Sequence, residues 1–222
     1  MTLNTYIDHT KLGPNVTIDD IDQLILEGKT YQFKSLCVNP QYVSYVSKQL
    51  KDTGVLTCTV VGFPHGTHVP SVKAFETKQA ILDGADEIDM VMNVTHVLAF
   101  DEKQTYEDIR AVVVASKGNP VKVILETCYL HEEHIVFACH MAKQAGAQFV
   151  KTSTGFGSGG ATIEAVQLMK KTVGDALEVK ASGGIRNIED AMNFIQAGAT
   201  RLGTSKGVSL MNKEESHGDT TY

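Results

Sequence analysis

No apolar run in the 222-residue chain approaches the roughly 18 to 20 residues that a membrane-spanning helix requires. The first residues, Met1-Thr2-Leu3-Asn4, carry neither the basic stretch nor the apolar segment of a secretion signal. A cytoplasmic protein without a membrane partner is therefore expected, and the Asn-x-Thr triplets at Asn15 and Asn93 are not read as glycosylation sites. Positive charge is also short: the formal net charge is −6 and no basic patch stands out, so no nucleic-acid partner is expected. Cys37, Cys58, Cys128 and Cys139 have no Cys-x-x-Cys spacing and stand in apolar surroundings, which reads as reduced core thiols, not a disulfide framework. The His-x-x-His pairs His65/His68 and His131/His134 lack a third ligand, so no zinc site is expected. Linkers and low-complexity segments are missing as well. The chain reads as one domain over residues 1–212, followed by a polar, mobile tail over 213–222.

What the sequence does have is alternation. Short apolar runs predict strands over Thr5–Asp8, Ser35–Val38, Leu56–Gly62, Glu87–Met92, Lys122–Glu126, Phe149–Thr154, Glu178–Ser182 and Arg201–Gly203. Between them, amphipathic patterns predict helices near 17–29, 41–51, 71–83, 105–117, 131–144, 162–173, 188–197 and 206–211. Glycine stands at or just past most helix ends, as in Asp83-Gly84-Ala85 and Ala197-Gly198-Ala199. Eight strand–helix units in this length predict an α/β fold of the single-domain (β/α)8 TIM-barrel type. An open doubly wound sheet is the alternative, weakened because no Gly-x-Gly-x-x-Gly opens the first unit.

In such a barrel the chemistry gathers at the C-terminal ends of the strands. The predicted strands bring Asp8, Cys37, Asp89, Glu126, Lys151, Lys180, Gly203 and Ser205 to that face. Lysine is rarely buried without a partner or a chemical role, yet Val150-Lys151 and Val179-Lys180 each place one at the end of an apolar strand. An amine attacks a carbonyl only when uncharged, and burial beside a second cation favours that form. Lys151 is accordingly the candidate nucleophile, Lys180 the cation beside it, and Asp89 the group that moves protons. A structural reading, lysines plugging the barrel against Asp89 and Glu126, stands beside the catalytic one. Gly183-Gly184 after strand seven and Gly203-Thr204-Ser205 after strand eight occupy the usual phosphate position of these barrels, with Thr154 and Gly155 as further contacts.

Seven phrases, in order along the chain, carry a resemblance. They are Tyr6-Ile7-Asp8-His9-Thr10, Ser35-Leu36-Cys37-Val38-Asn39-Pro40, Val60-Val61-Gly62-Phe63-Pro64, Glu87-Ile88-Asp89-Met90-Val91-Met92-Asn93, Val150-Lys151-Thr152-Ser153-Thr154-Gly155-Phe156, Val179-Lys180-Ala181-Ser182-Gly183-Gly184-Ile185-Arg186 and Arg201-Leu202-Gly203-Thr204-Ser205. The chain resembles the deoxyribose-phosphate aldolases, a family of class I aldolases. The resemblance implies a Schiff base on Lys151, proton handling by Lys180 and Asp89, Asp8 near the substrate hydroxyls, and Tyr222 swinging in to protonate the enamine. It implies a phosphorylated sugar as substrate and no metal or organic cofactor. Lys11 and Gly13 depart from the family pattern in the first loop. Cys37, near the site, is a candidate for alkylation by aldehyde. Pairing of barrels through outer helices makes a homodimer the expected assembly. An isomerase or epimerase on the same barrel, a non-catalytic sugar-phosphate sensor, and a class I aldolase for another aldehyde pair are the competing functions.

Overall fold

The computed structural model describes residues 2–212. Eight parallel strands close a barrel in sequence order: β1 (Ile7–Lys11), β2 (Ser35–Val38), β3 (Leu56–Val61), β4 (Glu87–Val91), β5 (Val121–Ile124), β6 (Phe149–Lys151), β7 (Glu178–Ser182) and β8 (Arg201–Thr204). Outside them run α1 (Ile18–Tyr31), α2 (Val43–Leu50), α3 (Pro70–Leu82), α4 (Val94–Leu98), α5 (Glu102–Ala115), α6 (Glu132–Ala145), α7 (Ile163–Val173), α8 (Ile188–Gln196) and α9 (Gly207–Asn212). The expected (β/α)8 barrel is the fold observed. Tyr222 and the rest of the expected tail lie outside the described residues.

Local chemistry sets the helix starts. Thr17 and Asp20 form a reciprocal capping box at α1, and Asp101, Thr162 and Asn187 each accept a hydrogen bond from a backbone N–H in the first turn they cap. Asn93 caps the short α4, which the sequence pattern missed because five residues hold too little periodicity. Its presence moves the start of α5 upstream of the predicted 105.

Three strands differ from expectation by two residues or more at an end. β1 runs Ile7–Lys11, not Thr5–Asp8, so Asp8 stands near the start of its strand. β5 stops at Ile124, and Glu126 adopts a left-handed backbone with φ 55°. β6 is only three residues long, because Thr152–Thr154 leave the ladder to enter the glycine-rich loop.

Alternation along each strand divides the core. Outward residues such as Ile7, Leu36, Ile88, Val121, Val150, Val179 and Leu202 are fully buried under the helices and join the main apolar cluster. Inward positions break the usual barrel habit of stacked branched aliphatics. They carry Asp8, Glu87, Asp89, Lys122, Lys151, Lys180 and Arg201, linked by register: Asp89 opposes Lys122, Lys151 opposes Lys180, and Lys180 opposes Arg201.

Candidate active site

Those seven side chains form one network, each 6 % exposed or less. Asp89 is the hub: its Oδ2 accepts hydrogen bonds from Lys151 Nζ and Lys180 Nζ at 2.8 Å each, and its Oδ1 accepts one from Lys122 Nζ at 2.9 Å. The two amines that share Oδ2 are therefore no more than twice that distance apart. Asp8 Oδ2 accepts from Lys180 at 2.6 Å, while its Oδ1 takes Ser35 Oγ at 2.7 Å and Arg201 Nη1 at 2.8 Å. Glu87 binds Lys122 at 2.6 Å and the Arg201 fork at 2.8 and 3.2 Å. Below them the Phe149 ring lies 5.7 Å from the Lys122 amine and 5.2 Å from the Arg201 guanidinium.

The electrostatics follow from this density of opposite charge. Burial alone would favour the neutral forms of Asp8, Glu87, Asp89, Lys122, Lys180 and Arg201, but it is outweighed. Lys122, Lys151 and Lys180 together hold the Asp89 carboxyl well below the usual carboxylate range. Asp8 is depressed by Lys180, Arg201 and Lys122, and Glu87 by Lys122 and Arg201. In turn Asp89 and Asp8 raise Lys122 and Lys180, and Asp8 and Glu87 raise Arg201. Three carboxylates thus face four cations. Lys122, Lys180 and Arg201 each bond to at least two carboxylates, whereas Lys151 touches Asp89 alone.

The sequence-predicted groups are distributed unevenly. Lys151, Lys180 and Asp89 come together as expected, but Asp89 and Lys180 sit in mid-strand, one layer below the strand ends. Asp8 lies deeper still, with both oxygens engaged. Cys37 is fully buried in a second apolar cluster with Leu12, Cys58 and Val60, and Phe63 packs against it. The Cys58 thiol donates to Asp89 Oδ1 at 3.3 Å; its neighbourhood draws the Cys37 thiol down in pKa, while burial pushes the Cys58 thiol up.

Gly155, Gly183 and Gly184 line a cavity of about 200 Å³ together with Gly160, Ser158 and Arg186. All three have positive φ, at 87°, 78° and 80°. The loops also touch directly: a Cβ on Gly160 would stand 2.5 Å from the Gly183 carbonyl carbon. Thr154 does not line this cavity. Its N–H donates to Glu126 Oε1 at 3.1 Å and its hydroxyl donates to Glu126 Oε2, so it latches the loop to a carboxyl that burial pushes up in pKa. Gly203 and Ser205 are absent from its walls too. Gly203 makes room inside the barrel, since a Cβ there would lie 2.2 Å from Ser182 Oγ and 2.9 Å from Lys180 Cε. Among the described residues, Cys37, Cys58 and Asp89 come close enough to share a metal ion, as do Asp8, Cys58 and Glu87. The lysines already engage those carboxylates, and a further cation there would face their charge.

Sequence reasoning missed Lys122, Glu87 and Arg201. A signal existed: Glu87 precedes Asp89 by two residues and so shares its face, and Val121-Lys122-Val123 repeats the apolar-lysine-apolar phrase of Lys180.

Residues 2–213 match the profile of the DeoC/LacD family aldolases. The chain is 58% identical over its whole length to the deoxyribose-phosphate aldolase of Acholeplasma laidlawii, which it covers completely. It is 55% identical to that of Streptococcus sanguinis, over 99% of this chain and 100% of the other. The tetrameric deoxyribose phosphate aldolase structure from Aeropyrum pernix superposes with a TM-score of 0.88 at 33% identity, over 95% of this chain and 89% of that one. The chain belongs to the DeoC/LacD aldolase family.

Proposed function

We propose that this family member cleaves 2-deoxy-D-ribose 5-phosphate reversibly to acetaldehyde and D-glyceraldehyde 3-phosphate through an imine on Lys151. The supporting observation is Asp89 Oδ2, which reaches both Lys151 and Lys180 at 2.8 Å. A nucleophile, a cation and a proton carrier are thereby held within one hydrogen-bonded unit. Of the four cations, Lys151 is the one that bonds to a single carboxylate, so it is the least tied of the amines. The alternative plug reading explains the ion pairs, but it leaves unexplained why the amine with fewest partners is the one nearest the mouth.

Lys151 adds to the aldehyde carbon, and loss of water gives a protonated imine. That cation draws electrons from the bond between carbons 2 and 3. Asp89, with Lys180, takes the proton of the 3-hydroxyl as the bond breaks. D-Glyceraldehyde 3-phosphate leaves. The enamine gains a proton at carbon 2, from water or from Tyr222, and hydrolysis frees acetaldehyde and Lys151. The phosphate, held at Gly155, Gly183 and Gly184, supplies binding energy for positioning the reacting carbons. Thr154 and Gly203 serve less directly, as loop latch and packing residue, while Ser205 remains a further phosphate contact after β8. Asp8 acts by fixing Lys180, without touching the substrate.

Cytoplasmic action and a homodimer complete the reading. No helix of the described residues is long and apolar enough to cross a membrane. On α3, Phe75 and Leu82 are 69 % and 67 % exposed, an apolar outer surface that a second copy would cover. Borohydride reduction in the presence of substrate, followed by peptide mapping, tests the assignment. The expected adduct is on Lys151, and an adduct elsewhere refutes it. An isomerase would retain turnover in Lys151→Arg, whereas an imine former loses it.

A further inference from the structure

A residue with a Cβ rarely takes the left-handed backbone region, and a buried one that does points to function. Gln32, Asp52, Phe100 and Lys117 have positive φ, but each is exposed and follows a helix. Among the described residues, Glu126 alone of this group is buried and follows a strand.

The turn at Glu126 aims its carboxyl at the start of the glycine-rich loop. Thr154 donates to both oxygens, through its N–H at 3.1 Å and through its hydroxyl. The same hydroxyl oxygen accepts the Phe156 N–H at 3.0 Å, which carries the attachment two residues further. The Thr127 N–H donates to the Thr152 carbonyl at 3.0 Å, so the turn after β5 grips this segment twice. It also supports the loop beyond. A Cβ on Gly157 would stand 3.0 Å from Cys128 Sγ and 3.1 Å from Glu126 Cδ, and one on Gly159 would stand 3.2 Å from Cys128 Cβ. Gly157 and Gly159 line the 200 Å³ cavity. Glu126 is not one of its lining residues, and both its oxygens are already engaged. It therefore acts on that cavity through the loop.

Lys151 ends β6, three residues before Thr154. A sugar phosphate joined to Lys151 with its phosphate in the cavity spans a fixed length of carbon chain, so both ends seat only at one spacing of loop and amine. We propose that Glu126 is a positioning residue: by latching Thr154 it fixes the glycine loop relative to Lys151, and so sets the preference for phosphorylated over unphosphorylated sugar. An unlatched loop yields less of the phosphate's binding energy, whereas a substrate without phosphate never draws on it. This inference rests on the aldolase reading and deepens it.

The test compares kinetics with deoxyribose 5-phosphate and with deoxyribose, beside borohydride trapping of acetaldehyde alone, with folding checked by circular dichroism. Glu126→Ala is expected to lower kcat/KM for the phosphorylated sugar by about tenfold, chiefly through KM. For deoxyribose, and for acetaldehyde trapping, the change is under about twofold. Glu126→Gln brings the phosphorylated sugar back to within about threefold of the parent, because its carbonyl accepts the Thr154 N–H and its amide donates to the Thr154 hydroxyl oxygen. Should Glu126→Ala fail to fold, Thr154→Val removes the hydroxyl arm alone and is expected to show the same selectivity at about threefold. An equal fall for both sugars, no fall, or a Gln variant as impaired as the Ala variant overturns the inference. A gain for the phosphorylated sugar in both Glu126 variants overturns it too, since the carboxylate would then act by repelling phosphate. Absence of any trapped adduct in the unmodified enzyme overturns the aldolase reading instead.

Discussion

Two sites in this protein bury a lysine against a carboxylate, and they behave in opposite ways. Outside the barrel, Lys73 of α3 donates to Asp108 of α5 at 2.7 Å and to the Val91 carbonyl at 2.9 Å. Asp108 also accepts the Asn93 N–H at 2.9 Å, and its Oδ1 has no hydrogen-bond partner. There burial dominates: it pulls the Lys73 amine down and pushes the Asp108 carboxyl up. Inside the barrel burial is as complete, yet the carboxylates are depressed and Lys122 and Lys180 are raised. The difference is the number of opposite neighbours. One partner does not offset the loss of hydration, whereas two or three do. The outer pair ties two helices to the end of β4; the inner network keeps permanent charge beside the reacting amine.

The largest effect that probes this contrast is on turnover. Lys151→Ala removes the nucleophile, so activity in a coupled triose-phosphate assay falls by about 10⁴-fold or more. Because the substitution leaves three carboxylates against three cations, its denaturant midpoint stays within about 1 kcal/mol of the parent. A loss as large as that of a buried-pair deletion breaks the charge-balance argument.

Lys122→Met strips a cation from Asp89 and Glu87 together and destabilises by about 3–5 kcal/mol in a urea titration. Lys73→Met costs less, about 1–3 kcal/mol, because burial already pushes the Asp108 carboxyl up, so it takes a proton more readily once the ion pair is gone. Equal costs at the two sites erase the distinction.

Acid stability sharpens it further. Asp8, Glu87 and Asp89 are depressed in the folded state, so their stabilisation is complete above the ordinary values of 3.8 and 4.5 and is lost as pH falls toward the folded ones. Asp108 is raised, so its contribution is complete below 3.8 and is lost as pH rises through its folded value. Thermal melts from pH 6 to pH 3 should therefore show a shallower acid decline in Asp89→Asn and a steeper one in Asp108→Asn. Thr17→Ala, at a solvent-exposed cap, sets the floor for these effects at about 1 kcal/mol in the same melts.

The barrel was legible because its signals are local. Continuous apolar runs mark the strands, and residues such as Gly146, left-handed at the end of α6, mark the helix exits. Lys151, Lys180 and Asp89 stood out as charges inside such runs. The remainder of the network did not. Arg201 and Lys122 open predicted strands, where a charge normally points to solvent, and only closure of the sheet turns them inward. Thr154 looked like an anion contact from its loop, but the left-handed turn at Glu126, which no neighbouring residue announces, brings a carboxyl up to claim it. The strand shift at Asp8 has a similar origin: Thr10 and Lys11 read as loop, yet they pair with Cys37 and Val38.

Phe149 stands at the opposite end of the barrel from the glycine-rich loops, with Lys122 and Arg201 stacked above it. It makes the reaction chamber a vessel with a sealed floor. In the proposed reaction, the water that splits the imine is then expected to enter from the strand-end face and not from below Phe149. Phe149→Ala is accordingly expected to open that end and to wet the charged layer from beneath.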